Sequence, residues 1–249
     1  MKRDILFIPD SHVKPNVAMQ RFKWLGELIS DRKPDVVVHA GDLWDMESLC
    51  TYDYGTIHAE NRRYRADLES GWNALDTLND AIVGANPDFF FCFGNHEHRV
   101  NKTIEKNPSL HGTISMNDFA VADFGWTPIP FLEPVEIQGI LFAHYFISGV
   151  MGKAVGGEHA AANQIKKQYV SCVSAHSHLL DYAERTDAKG NKIQSLVGGC
   201  FLEPGQWERY AGQANKMWNN CVCYLHDAEN GNFDLEVISV NRLKKAYGN

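Results

Sequence analysis

Residues 89–97 read FFFCFGNHE. The run Phe89–Phe93 is apolar throughout and reads as a buried strand, which Gly94 breaks with a tight turn. Asn95, His96 and Glu97 then emerge at the strand's C-terminal edge. Open α/β sheets place their ligands along that edge. Four residues such as GNHE recur by chance, so their weight depends on what the neighbouring strands deliver.

Upstream, Ile5–Ile8 form an apolar strand that ends in Pro9, Asp10, Ser11 and His12. On an extended segment Asp10 and His12 point to one side and can grip one ion; alone, the pair reads as an Asx turn beside a surface histidine. Val17, Phe22, Leu25, Leu28 and Ile29 recur at helical spacing, which predicts a helix over 17–32 that Pro34 ends. The valines of Asp35–Ala40 make a second strand, running into Gly41, Asp42, Leu43, Trp44 and Asp45. Strand, helix, strand predicts a parallel pair with a right-handed crossover, so Asp42 should surface beside Asp10. Residues 46–57 read as a loop carrying Tyr52 and Tyr54, and a long helix is expected from about His58 to Ala85. Arg62, Arg63 and Arg65 near its start suit a solvated helix face, although the preceding loop could carry them over the site. His98–Lys106 read as a further helix, from which Arg99 could reach a phosphate.

Downstream, Val135–Ile137 and Ile140–Ala143 form a hairpin that exits at His144. Gly149, Gly152, Gly156 and Gly157 surround Lys153 without the Gly-Lys-Ser/Thr ending of a nucleotide loop, so a flexible loop is expected. A helix over 158–169 precedes a strand over 170–175 that ends at His176 and His178, two histidines at the spacing of Asp10 and His12. Hairpins follow at 181–197, then a loop with Phe201, Trp207, Tyr210 and Trp218, then a hairpin turning at Asn230 and Gly231. No linker, repeat or low-complexity tract divides the chain, so one domain over 1–249 is expected.

Composition sets outer limits. With 44% apolar and 22% charged residues, the 249-residue chain reads as globular and able to bury a large core. A net charge of −7 weighs against an extended nucleic-acid platform. The start MKRDILFIPD reads as a first strand and not as a signal peptide, and no apolar run is long enough for a membrane span. Six cysteines, mostly inside apolar runs, suggest a reduced, cytoplasmic protein; Cys221 and Cys223 share one strand face and are expected in the core.

Asp10, His12, Asp42, Asn95, His144, His176 and His178 each close or follow an apolar strand. Together they offer more nitrogen and oxygen donors than one zinc takes and suit two transition metals sharing a carboxylate. In the order DxH, GDxxD, GNHE, H and HxH, the chain resembles the calcineurin-like metallophosphoesterase superfamily over residues 10–178. The resemblance implies an α/β fold, a four-layer α/β/β/α sandwich with its metal site at the C-terminal edges of the strands. It implies that Asp10, His12 and His178 bind one metal, that Asn95, His144 and His176 bind the other, and that Asp42 bridges. His96 would be the general acid, oriented by Asp45, beside a bridging water acidified by the two metals. Manganese is the first expectation, with iron, zinc or nickel as alternatives. Ala175 departs from the glycine usual before the HxH pair, and Asp45 is followed by Met46 and Glu47, unlike the Asp-Arg-Gly of serine/threonine protein phosphatases.

A phosphodiester or nucleotide substrate, including short nucleic acid, would find stacking partners in Trp44, Tyr52, Tyr54 and Trp207. A phosphomonoester or phosphoprotein would instead call on Arg99, Arg62 and Lys153. The diester is the expectation; the alternatives are a phosphomonoesterase or protein phosphatase, or a non-catalytic binding scaffold on the same fold.

Overall fold

The computed structural model describes residues 1–149 and 152–248. In chain order its first half comprises β1 (Arg3–Ile8), α1 (Gln20–Arg32), β2 (Val36–His39), α2 (Tyr64–Asp80), β3 (Asp88–Cys92), α3 (Arg99–Lys106) and β4 (Thr127–Ile129). Then come β5 (Val135–Ile137), β6 (Ile140–Phe142), β7 (Ile147–Ser148), β8 (Lys153–Ala154), α4 (Ala160–Gln168), β9 (Cys172–Ser174), β10 (Leu180–Thr186) and β11 (Lys192–Gly198). The chain closes with β12 (Cys221–Glu229), β13 (Asn232–Ser239) and α5 (Val240–Tyr247).

The fold is mixed α/β, built on a six-stranded sheet ordered β13-β12-β1-β2-β3-β4 and a five-stranded sheet ordered β10-β11-β9-β6-β5. Strands β1 to β4 run parallel, as the crossover through α1 requires, and β6 and β9 are parallel neighbours in the second sheet. The ends of β1, β2, β3, β6 and β9 therefore open towards one region.

Alternation along the six-stranded sheet shows why these apolar runs are continuous. Leu6, Ile8, Val37, Phe91, Val222 and Tyr224 join Phe22, Leu25, Leu28, Ile29 and Val240 from α1 and α5 and Leu68, Leu75 and Leu78 from α2. Their neighbours Ile5, Phe7, Val36, Val38, Cys92, Cys221 and Cys223 face the other way, against Ile137, Phe142, Val173 and Leu196 of the five-stranded sheet. Both faces of the central strands are covered, so both alternating positions are mostly apolar; the exception in β2, buried His39, has its Nε2 3.0 Å from Ser11 Oγ. Within the opening stretch, Phe91 and Phe93 face the helix side while Phe90 and Cys92 face the second sheet. Cys221 and Cys223 lie in the core, as expected. On the outer side of the five-stranded sheet, Ala160 and Ala161 of α4 pack on Val197.

Three expectations change. The long helix expected from about His58 to Ala85 begins only at Tyr64 and ends at Asp80, and 47–59 contains three short 3-10 turns, Glu47–Leu49, Thr51–Asp53 and Ile57–Ala59. Arg62 is drawn out of helical register by ion pairs to Asp53 at 2.7 Å and to Glu47 at 3.5 Å. Trp44 is wholly buried, its indole N–H donating to the Leu68 carbonyl at 3.0 Å, so it cannot stack on a ligand. The glycine-rich stretch is bounded by pairing of Ile147–Ser148 with Lys153–Ala154, with Val150 and Met151 outside the described residues.

Trp44 is packed directly against Gly71 of α2, where an added Cβ would overlap the indole ring. Gly71→Ala should therefore cost about 1–3 kcal/mol despite alanine's better helix propensity. Gly156→Ala, with open space around it, is the control and should stay within about 0.5 kcal/mol of the parent. Urea denaturation of both variants measures this, and an unchanged Gly71→Ala midpoint contradicts the packing account.

Candidate metal centre

The turns that follow the strands are tied to one another before any ligand is considered. The Glu97 carboxylate accepts three backbone N–H groups, from Gly94 at 2.8 Å, Asp42 at 2.9 Å and Trp44 at 3.1 Å. The Asp42 carboxylate returns the tie by accepting the His96 N–H at 2.8 Å. Backbone N–H groups of Ser11 and His12 donate to the Asp42 carbonyl at 3.0 and 2.9 Å, which joins the β1 turn to the β2 turn. The His176 N–H donates to Asp10 at 2.9 Å and brings in the second sheet. Gly41 and Gly94 permit this approach: a Cβ on Gly94 would overlap the Asp42 carboxylate, and one on Gly41 would overlap the Cys92 carbonyl.

The residues singled out from the sequence converge. Asp10, His12 and His178 form one cluster of donor atoms, and Asp42, His144 and His176 a second, each with its atoms within 4.8 Å of one another. Asn95 joins the second, its Oδ1 lying 2.9 Å from His144 Nε2. A third cluster joins His12, Asp42 and His96. Asp10, His12, Asp42, His144 and His178 are buried, whereas Asn95 and His176 are partly open. His12, Asp42, His176 and His178 all have φ between 43° and 71°, a left-handed backbone that costs non-glycine residues on the order of 1–3 kcal/mol each. Strain gathered at four such residues is characteristic of a functional site.

The donor chemistry fits a cation. His144 Nδ1–H donates to the Ala40 carbonyl at 2.9 Å, so its Nε2 lone pair faces Asn95 Oδ1, His176 Nδ1 at 3.2 Å and Asp42 Oδ2 at 3.4 Å. Metal-ligating histidines are oriented in this way. Both ring nitrogens of His12, and Nδ1 of His178, are buried without a hydrogen-bond partner. A divalent ion would take one lone pair from each of these rings, and thiolates are absent from the set.

The electrostatics carry the same message. Burial and the charge of Asp10 push the Asp42 carboxyl up to about 8. Burial also raises Asp10, but His144, His12 and His178 outweigh it and hold Asp10 well below the usual range. Burial lowers His12, yet Asp10, Asp45 and Asp42 overcome it and drive the imidazole well above its ordinary value. His176 is pushed down to about 4 by burial and then by His144. Glu97 rises to about 7 through burial and the charge of Asp42.

His96 and Asp45 stand beside these clusters. His96 Nδ1 lies 2.8 Å from the Asp45 carbonyl and 3.1 Å from its Oδ1, while Nε2 meets the Arg99 guanidinium at 3.2 Å. Nδ1 therefore carries the proton and donates. Burial, followed by the charges of His12 and Arg99, pushes His96 down to about 3. Arg99 donates to the carbonyls of Asp45 and Met46 at 2.6 and 3.2 Å. These groups line a cleft of about 750 Å³ whose walls also include Lys14, Asp53, Arg62, Trp207, Arg209 and Tyr210. Lys153 and Tyr54 are not among its lining residues. The sequence reading gave no role to Glu97, Lys14 or Glu208; the spacing of Glu97 within GNHE was the one available signal.

A metal held at Asp42 and His12 would displace protons that their surroundings keep on both groups. Affinity for a divalent transition metal should therefore rise with pH through the Asp42 range near 8, with net proton release on binding. Titration calorimetry in two buffers of different ionisation enthalpy measures the released protons; pH-independent affinity without proton release would contradict this account.

A sequence model described as calcineurin-like phosphoesterase matches residues 3–192. A search of curated proteins finds no significant match. Among solved structures, Yfce, a phosphoesterase from E. coli, aligns at 12% identity over 96% of this chain and 93% of that one, with a TM-score of 0.43. A dimetal phosphatase from Danio rerio, LOC 393393, aligns at 9% identity over 96% of each chain with a TM-score of 0.47. TT1561 of Thermus thermophilus aligns at 11% identity over 96% of this chain and 100% of that one, with a TM-score of 0.43. The match to the family's sequence model extends over most of the chain and takes in all the strand-end residues described above: the protein belongs to the calcineurin-like phosphoesterase family.

Proposed function

We propose that the protein is a binuclear metal-dependent phosphoesterase acting on a phosphodiester or nucleotide. The observation that carries this reading is the convergence of acceptors on acceptors around Asp42, next to an imidazole that faces the same cleft. Asp10, His12 and His178 would hold one divalent ion, manganese being the first expectation, and Asn95, His144 and His176 the other, with Asp42 between them. When bound, the ions supply positive charge for phosphate oxygens and make a water nucleophile available near neutral pH.

The chain's own residues divide the remaining work. His96 is anchored through Nδ1 and presents Nε2 to the cleft, where a proton can be handed to a leaving alkoxide. Burial, with the charges of His12 and Arg99, holds it unprotonated at rest. An anionic phosphate in the cleft would offset the contribution of both charges and favour the imidazolium. Lys14, Arg62 and Arg209 each have a carboxylate oxygen within 2.8 Å, whereas the nearest to Arg99 is 3.9 Å away. One loosely matched cation suits the single charge of a diester better than the dianion of a monoester. Exposed Tyr52, Trp207 and Tyr210 border the cleft and offer faces for stacking.

Chelator-stripped protein supplied with manganese, nickel or zinc should cleave bis-p-nitrophenyl phosphate well above p-nitrophenyl phosphate. The reverse ratio would move the substrate to monoesters, and no turnover of either with metal bound would sink the enzymatic reading. His96→Ala should lower kcat on an alkyl diester by about 10²–10⁴-fold while metal stays bound, as measured by metal content after gel filtration.

A further inference from the structure

Lys14 lies where three distant parts of the chain meet. Its Nζ donates to Asp45 Oδ2 at 3.0 Å, to Glu208 at 2.8 and 2.9 Å, and to Glu47 at 3.4 Å. Glu208 is almost fully buried and is locked on every side. Gln206 donates to its carboxylate at 2.7 Å, while Asn215 accepts its backbone N–H at 2.9 Å and donates to its carbonyl at 2.7 Å. A connected path thus runs from Glu208 through Lys14 and Asp45 to His96, in steps of 2.8, 3.0 and 3.1 Å.

We propose that Lys14, held by Glu208, is a positioning residue for proton delivery by His96, acting through Asp45. This rests on the phosphoesterase reading above. Asp45 Oδ1 faces two imidazoles, His96 at 3.1 Å and His12 at 3.5 Å. A carboxylate free to rotate would divide its two oxygens between them and turn away from His96. Lys14 takes Oδ2, which fixes the plane and leaves Oδ1 at His96. The ammonium alone would also cancel the Asp45 charge, and Glu208 prevents this by neutralising Lys14. Asp45 therefore keeps its full negative charge for an imidazolium at His96. The same linkage fastens the segment carrying Trp207, Arg209 and Tyr210, which line the cleft, to the proton-delivering pair.

A purely structural tie and a positioning role separate on leaving-group dependence. A leaving nitrophenolate needs no proton, whereas a poorer leaving group does. The substrates are methyl aryl phosphodiesters with leaving groups from p-nitrophenol to phenol, with metal saturating. Lys14→Met should lower kcat about 10–100-fold for the phenyl ester and less than about threefold for the p-nitrophenyl ester, which steepens the leaving-group slope. Lys14→Arg should restore most of the loss. Because Lys14→Met leaves Glu208 buried and unpaired, the double variant Lys14→Met/Glu208→Gln removes that charge and should fold while keeping the steep slope. Equal loss across the series, or a slope identical to that of the parent, overturns the inference. Failure of the unmodified protein on every ester would instead overturn the phosphoesterase reading.

Discussion

One carboxylate holds the strand-end turns in place. Glu97 gathers the N–H groups of Gly94, Asp42 and Trp44, and thereby makes the turns after β2 and β3 a single unit. These donors have no helix or strand partner, and burying them unmatched would cost about 1–3 kcal/mol each. The arrangement also explains why both turns begin with glycine, since any side chain at Gly41 or Gly94 would push the backbones apart. Asp42 can then lie between the two sheets, bonded through its carbonyl to the β1 turn and through its carboxylate to His96.

From that unit outward, the centre is a problem in charge and acceptor balance. Buried carboxylates and imidazoles stand closer than they would tolerate in an uncharged interior, and the chain compensates by holding protons on Asp42 and His12. Cations would solve the same problem better, because one held there would take up the lone pairs of His144, Asn95 and His176 together. The cleft outside the centre follows the opposite rule: its lysine and two of its arginines are matched to carboxylates within the chain, and its free faces are aromatic.

The strands and their terminal residues were legible because burial on both faces demands uninterrupted apolar runs, so the first polar residue after each run marks an edge. Asp10, Asn95 and His144 follow this rule directly, whereas Asp42 and His176 come after the buried polar residues His39 and Ser174. What lay between the runs could not. Segment 47–63 has helix-compatible residues, yet its shape comes from Asp53, which pairs with Arg62 nearby and with Arg209, 156 positions away. Lys14 and Glu208 are 194 positions apart, and neither belongs to a periodic pattern. Trp44 resembled a stacking residue from its place beside Asp42; only the notch at Gly71 turns it inward.

The left-handed backbone at His12, Asp42, His176 and His178 has an evolutionary corollary. Side chains are tolerated there at an energetic cost that glycine would not incur and asparagine would reduce. Exchanging a strained histidine for glycine would relieve torsion while removing a donor. Selection for stability and selection for the donor set therefore pull in opposite directions at the same positions. A lineage released from the second pressure would be expected to lose these residues first and remain folded.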